Sequence, residues 1–351
     1  MSRPIGQPSL RLISSENAYT KISAAPKNPE QKQLLDACAK VISATGFDLR
    51  FSSGEDAMEE QTMTRLLVHF DAHHADTHST GRSRSDQSDP LCTAWLHTSY
   101  APLMGRRGKG ANVLLIAADQ QFHSSNDVSD RVLETLQALT SRCRNKLTIL
   151  SSNKKNRLVE DCPPYALKRH LSAKLPSLEV EEIPLEVGVA ALSSSPELFD
   201  VVLVDTDFGP LISNVLSDAV DHRGYRAMMR IHDHSVEFCR EPIPRIRHMS
   251  GKTDDDLMPI LQCAQMLLLY LKQEERAASL QNALAVTIED RIFPCNDYVD
   301  FLNKARLRPD DFAAALIERL GRTPKSLPAA NISQIARNAH SVSKPYLCLV
   351  S

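Results

Sequence analysis

The sequence predicts an α/β protein of two lobes, with a mixed parallel and antiparallel sheet and helices on both of its faces. Three observations carry that prediction. At 351 residues and 42% hydrophobic content the chain exceeds the size at which a single core stops growing, about 250 to 300 residues, so two cores are expected. Segments of helical periodicity alternate with short apolar strands, first from residue 30 and again from residue 111, the pattern of a sheet with helices packed on it. FDVVLVD at 199 to 205 puts consecutive apolar residues in one short run, as a strand covered on both faces requires.

The first helix is EQKQLLDACAKVISATG at 30 to 46, where Leu34, Leu35, Cys38, Val41 and Ile42 recur at helical spacing and Gly46 supplies a C-terminal stop. FDLRF follows as a short alternating strand. Residues 71 to 90 are polar, rich in Ser, Asp and His, and without apolar periodicity, so they read as a surface loop or insertion. His69, His73, His74 and His78 would share a face if this region were helical, which makes zinc thinkable. Structural zinc sites usually draw ligands from separated segments, however, and no Cys lies near. The second series runs through the strand ANVLLIAA from 111, the helix SDRVLETLQALTSRC with Ser129 as N-cap, the strand KLTILS, the helix PYALKRHLSAKLP, and the strands LEVEEIP and FDVVLVD. Two apolar helices separated by a charged turn occupy LMPILQCAQMLLLYLKQEERAASLQNALAVTIED. A last helix spans 309 to 320, with Pro309 near its start and Gly321 after it.

Charge gives no broad attraction for nucleic acid or anionic lipid: 41 Lys and Arg stand against 43 Asp and Glu. The eight cysteines are scattered singly with no CxxC, which fits reduced thiols better than a disulfide framework. No run reaches the roughly 18 apolar residues of a membrane span, so no membrane insertion is expected. Up to Glu16 the chain has Arg3, Arg11, several serines and no acid. That composition suits a short mitochondrial transit peptide and equally an ordinary frayed terminus; a mitochondrial location is the expectation, cytoplasmic the alternative.

Three stretches in order resemble the isocitrate and isopropylmalate dehydrogenase family: KLTIL at 146, LEVEEIPLEVGVAALSSSPELFDVVLVDTDFGPLISN from 178, and MPILQCAQMLLLYLKQEERAASLQNAL from 258. The resemblance runs from about 111 to 290 and extends weakly to residue 30. It implies a lobe formed by 1–108 with 253–351 and a second lobe formed by 109–252. It also implies a homo- or heterodimer through the helix that starts near Gly209, and active sites that borrow residues across that interface. The family performs metal-dependent oxidative decarboxylation of 2-hydroxy acids with NAD or NADP.

Position by position, the resemblance implies a degenerate site. The family's two metal carboxylates after FG, at i, i+4 spacing on one helix face, fall on Pro210 and Asn214. The carboxylate lent across the interface falls on Glu186. A hard cation needs several oxygens from fixed directions, which proline cannot supply and an amide supplies weakly; Asp205, Asp207 and Asp218 are the acids nearby. The acid–base tyrosine falls on Leu139. The lysine falls on Ser152 without a gap, or on Lys154 with two inserted residues, where Lys154, Lys155 and Arg157 also read as a solvated basic turn. Ala117 stands where a substrate-clamping arginine is expected, and Arg106 and Arg107 precede that strand. In the adenine loop Glu241 and Pro242 are kept, but Ile243, Pro244, Arg245, Ile246 and Arg247 put bulk and charge where small residues let backbone approach a dinucleotide. Asp256 replaces an asparagine, and SENAYTKISAAP replaces the N-terminal glycine loop. The expectation is a protein without cofactor or catalytic metal, kept for architecture: a structural or interaction subunit with protein partners in a larger assembly. A noncatalytic regulatory subunit of an isocitrate dehydrogenase and a divergent active dehydrogenase using Lys154 and Glu186 are the rivals.

Overall fold

A computed structural model describes residues 20–23, 29–47, 49–52, 64–67, 90–99, 111–118, 139, 144–151, 173, 178–220, 225–232, 236–243, 257–293 and 307–325. In chain order the elements are β1 (Thr20–Ser23), α1 (Pro29–Ala44), β2 (Leu49–Ser52), β3 (Thr64–Leu67), β4 (Cys92–Thr98), β5 (Asn112–Ala118), β6 (Lys146–Ser151), β7 (Glu179–Pro184), α2 (Leu185–Ser194), β8 (Val201–Asp205), α3 (Gly209–Ala219), β9 (Tyr225–Ile231), β10 (Val236–Pro242), α4 (Met258–Tyr270), α5 (Glu274–Glu289) and α6 (Pro309–Ile317). Short 3-10 turns occupy Pro196–Leu198 and Thr206–Phe208.

The strands form one ten-stranded sheet in the order β2-β1-β3-β10-β9-β4-β5-β8-β6-β7. Parallel pairing holds β2, β1, β3 and β10 together at one end and β5, β8, β6 and β7 at the other. Between the two blocks, β10, β9, β4 and β5 pair antiparallel. Strands from 1–108 and from 109–252 therefore share this sheet, through the β3–β10, β4–β5 and β4–β9 pairings.

Strand side chains alternate faces, and the burial follows that rule. Val201 and Leu203 point into a core with α1, α4, α5 and α6, while Val202 and Val204 point into a second core with α2 and α3. All five residues of β8 are buried, as the unbroken apolar run implied. α1 ends at Gly46, whose φ of +85° is the left-handed stop that the sequence indicated. α6 ends at Ile317, short of the expected residue 320, and Gly321, at φ +80°, lies beyond the turn that follows it. Cys38, Cys92, Cys239 and Cys263 are free and buried; burial pushes the Cys92 and Cys263 thiols up to about 12. Among the described residues no helix is long and apolar enough to cross a membrane.

Sequence periodicity missed several strands. β1 lies within SENAYTKISAAP, read only as a substitute for a loop, and β3, β4, β9 and β10 were not anticipated. The largest correction concerns Glu241 and Pro242. Expected to open a loop, they end β10 in register with Arg226 and Tyr225 of β9.

Gly209 sets how closely α3 sits on the sheet. A Cβ there would lie 2.5 Å from the Ala117 Cβ and 3.3 Å from the Trp95 ring, and the strand backbone under Ala117 has little room to yield. Gly209→Ala is expected to lower the unfolding free energy by about 1–3 kcal/mol, read by urea denaturation with Trp95 emission as the signal. Ala117→Gly in the same chain should return part of the loss.

Candidate functional site

Strand alternation selects which side chains of β4, β9 and β10 face α3. On β4 these are Trp95 and His97; on β9, Arg226 and Met228; on β10, Cys239 and Glu241. From α3, Ser213, Asn214 and Ser217 turn toward the sheet, bonding to His97 or Arg226 there. Arg226 and Glu241 are directly opposite in the antiparallel β9–β10 register, so a cross-strand ion pair is built into the pairing itself.

The polar groups close on one another. Arg226 is 1% exposed; its Nε donates to Glu241 Oε2 at 2.6 Å, and its Nη2 lies in ion-pair contact with the same oxygen at 2.6 Å. Trp95 Nε1 donates to the same oxygen at 2.9 Å. Nη1 of Arg226 donates to Asn214 Oδ1 at 2.7 Å and reaches Ser217 Oγ at 3.4 Å. The guanidinium carbon sits 5.8 Å from the Trp95 ring centroid, within range of a cation–π attraction. Burial pulls the Arg226 guanidinium below its usual range, and the Glu241 carboxylate beside it pulls it back up. Beside this network the His97 ring Nε2 lies 3.1 Å from Ser213 Oγ, and Ser217 Oγ donates to the Ser213 carbonyl at 2.8 Å. The Ser213–His97 pair has the spacing of a nucleophile and its base. Both residues are fully buried, so no substrate reaches the hydroxyl in this conformation.

Some residues singled out in the sequence come together here and others do not. Asn214 and Glu241, expected in a metal site and a cofactor loop respectively, are joined by one arginine. Pro210 is exposed in the first turn of α3, where its fixed φ and missing donor are tolerated. Glu186 is exposed in the first turn of α2, a position that suits an acid by helix dipole alone. Leu139 is a core residue, 2% exposed in the α1 and α4 core. Ala117 is buried against Gly209. Asp205 accepts from the Asp207 backbone N–H at 3.3 Å, while Asp207 and Asp218 face solvent. Ser152, Lys154, Arg106, Arg107, Pro244, Arg245, Asp256 and the histidines of 69–78 lie outside the described residues.

The residues at the metal-equivalent position do not fit a divalent cation. Asn214 offers its one side-chain oxygen to a guanidinium that would repel such an ion, and Pro210 offers none. Among the described residues no three of His, Cys, Asp and Glu converge as a ligand set. Glu241, the acid kept from the adenine loop, is committed to Arg226 and Trp95.

The fold is that of the isocitrate dehydrogenases. The crystal structure of isocitrate dehydrogenase from Methylococcus capsulatus superposes with a TM-score of 0.58, covering 86% of this chain and 99% of that one at 16% identity. In sequence, the chain is 26% identical over 200 residues to isocitrate dehydrogenase [NADP] of Rickettsia typhi, a match covering 56% of this chain and 41% of that protein. It is also 23% identical over 234 residues to 3-isopropylmalate dehydrogenase of Pseudoalteromonas translucida, covering 66% of this chain and 63% of that one. No family model matches the chain. The chain is thus a divergent relative of the isocitrate and isopropylmalate dehydrogenases, and it spans about two fifths of the Rickettsia relative's length.

Arg226, Trp95 and His97 were not singled out from sequence. The available signal was a charged residue entering the apolar strand YRAMMRI, which needs a buried partner. Removing one member of a buried pair costs about 3–5 kcal/mol, so Arg226→Met should destabilise the chain by that order in urea unfolding. Arg226→Met combined with Glu241→Gln should recover part of the loss, and the shortfall from additivity measures the coupling.

Proposed function

We propose that the chain is a catalytically inactive relative of the isocitrate and isopropylmalate dehydrogenases that serves as a structural or interaction subunit, in a mitochondrial assembly and without a nicotinamide cofactor. One observation carries the proposal: the 2.7 Å bond from Arg226 to Asn214 places a fixed positive charge against the position where the family's reaction needs an oxygen-bound divalent cation. That cation polarises the substrate hydroxyl and the developing carbonyl, and no other described group is arranged to do so. Leu139, apolar and buried, adds the loss of an acid–base group. The two lobes, 1–108 with 253–351 and 109–252, belong to the proposal, as does docking of a protein partner through α3.

A second reading, a noncatalytic regulatory subunit of an NAD-dependent isocitrate dehydrogenase, is favoured by Glu186. It is exposed in the first turn of α2, available to a neighbouring subunit.

The full chain, supplied with isocitrate, isopropylmalate, tartrate or malate, NAD or NADP and magnesium or manganese, is expected to reduce neither nucleotide. Native purification should recover it with a large complex unrelated to dehydrogenases. Copurification with a complete dehydrogenase would instead select the regulatory reading, and turnover of any of these acids by the isolated chain would sink both.

A further inference from the structure

We infer that the cleft between the C-terminal end of α5 and residues 322–325 binds a small phosphate-bearing anion. Its volume is about 640 Å³, within the range of small-molecule sites, about 300 to 1,000 Å³. The polar lining is Glu289, Asp290, Arg291, Arg322, Thr323 and Lys325. α5 and α6 pack on the sheet face opposite α2 and α3, so this cleft is separate from the Arg226 network and from any contact made through α3.

One wall is fixed to the other by the backbone. The Lys325 N–H is shared between both oxygens of Glu289, at 2.9 and 3.0 Å, and Pro324 is buried. The segment that carries Arg322, Thr323 and Lys325 is thereby pinned against the end of α5. An acid in the last turn of a helix is disfavoured by the helix dipole; at Glu289 that cost is offset by a charge-assisted bond to a backbone donor.

Charge then selects the ligand. Both acids are engaged inside the protein, Glu289 with the Lys325 backbone and Asp290 with Arg319 Nε at 2.7 Å. The Arg322 and Lys325 side chains are exposed and are engaged by no acid among the described residues. Residues 326–351 contain no Asp or Glu to bring to them. Arg291 adds a third cation to the same lining. The end of α5 opposes an anion, but its carbonyls at Val286, Thr287 and Ile288 accept from the backbone N–H groups of Asp290, Ile292 and Arg291. Three cations against two committed acids leave the cleft positive. Guanidinium forks beside an ammonium and a hydroxyl suit the several oxygens of a phosphoryl group.

Isothermal titration calorimetry of the full chain with inorganic pyrophosphate, in metal-free buffer, is expected to show saturable binding. Affinity should fall about tenfold in Arg322→Gln and in Lys325→Gln. Glu289→Ala should also weaken binding, although it removes a negative charge, because it releases the pinned wall. Malonate, a carboxylate dianion, should bind more weakly than pyrophosphate. Arg322 and Lys325 are exposed and Glu289 is half-buried, so unchanged circular dichroism verifies the fold of each variant. The inference is overturned by absent binding, or by equal affinity in the wild type and both cation variants. It is overturned equally by tighter binding in Glu289→Ala, the mark of charge attraction without a built site, or by malonate binding as tightly as pyrophosphate. The inference goes beyond the noncatalytic reading, which stands or falls on turnover of the hydroxy acids.

Discussion

A guanidinium taken out of water must have its donors met by oxygens and its charge balanced. Arg226 is in that position, and the region around it is arranged accordingly. Its counter-charge, Glu241, faces it across the β9–β10 ladder; Asn214 and Ser217 turn down from α3; Trp95 covers one side and shares the carboxylate. Four elements are thereby tied at one point, and the helix that would carry a cation in the dehydrogenases is tied to an internal one. A network of this kind is costly when broken and rigid when complete, which is the behaviour expected of architecture.

The sheet explains how the point is reached. Two parallel blocks flank an antiparallel centre, and it is in that centre that strands β4, β9 and β10 lie side by side beneath α3. Alternation sends Phe238 toward the helices of the chain ends and Glu241 toward α3, so one strand serves an apolar core and a polar network at once. Gly209 and Ala117 complete the approach. Their small side chains let α3 settle onto the sheet where an arginine, as the family resemblance implies at Ala117, would need room to extend.

Much of the fold was legible because the governing rules are local. Gly46 ends α1 by its backbone freedom, the run in β8 betrays cover on both faces, and Pro210 fits a first helical turn. The missed strands had weaker signals. YRAMMRI and VEFCREP carry charges that break simple alternation; in the folded sheet Arg226 meets Glu241, Arg230 meets Glu237, and the buried Arg240 lies 4.3 Å from the Tyr225 ring centroid. Pairwise meeting at long range is what periodicity cannot display. The site was legible in part for the same reason. The resemblance identified Asn214 as an altered position and Glu241 as a retained one, each in its own motif, but nothing in either motif indicates that Arg226 joins them.

The central claim is that a protein cation has taken the place of a metal ion beside Asn214. Titration of the full chain with Mn²⁺, read by the electron paramagnetic resonance signal of the free ion, tests it most directly. The account predicts that the signal grows in proportion to added Mn²⁺, with no saturable binding and no quenching of Trp95 by the paramagnetic ion. Saturable Mn²⁺ binding that quenches Trp95 and is lost in Asn214→Ala would contradict it.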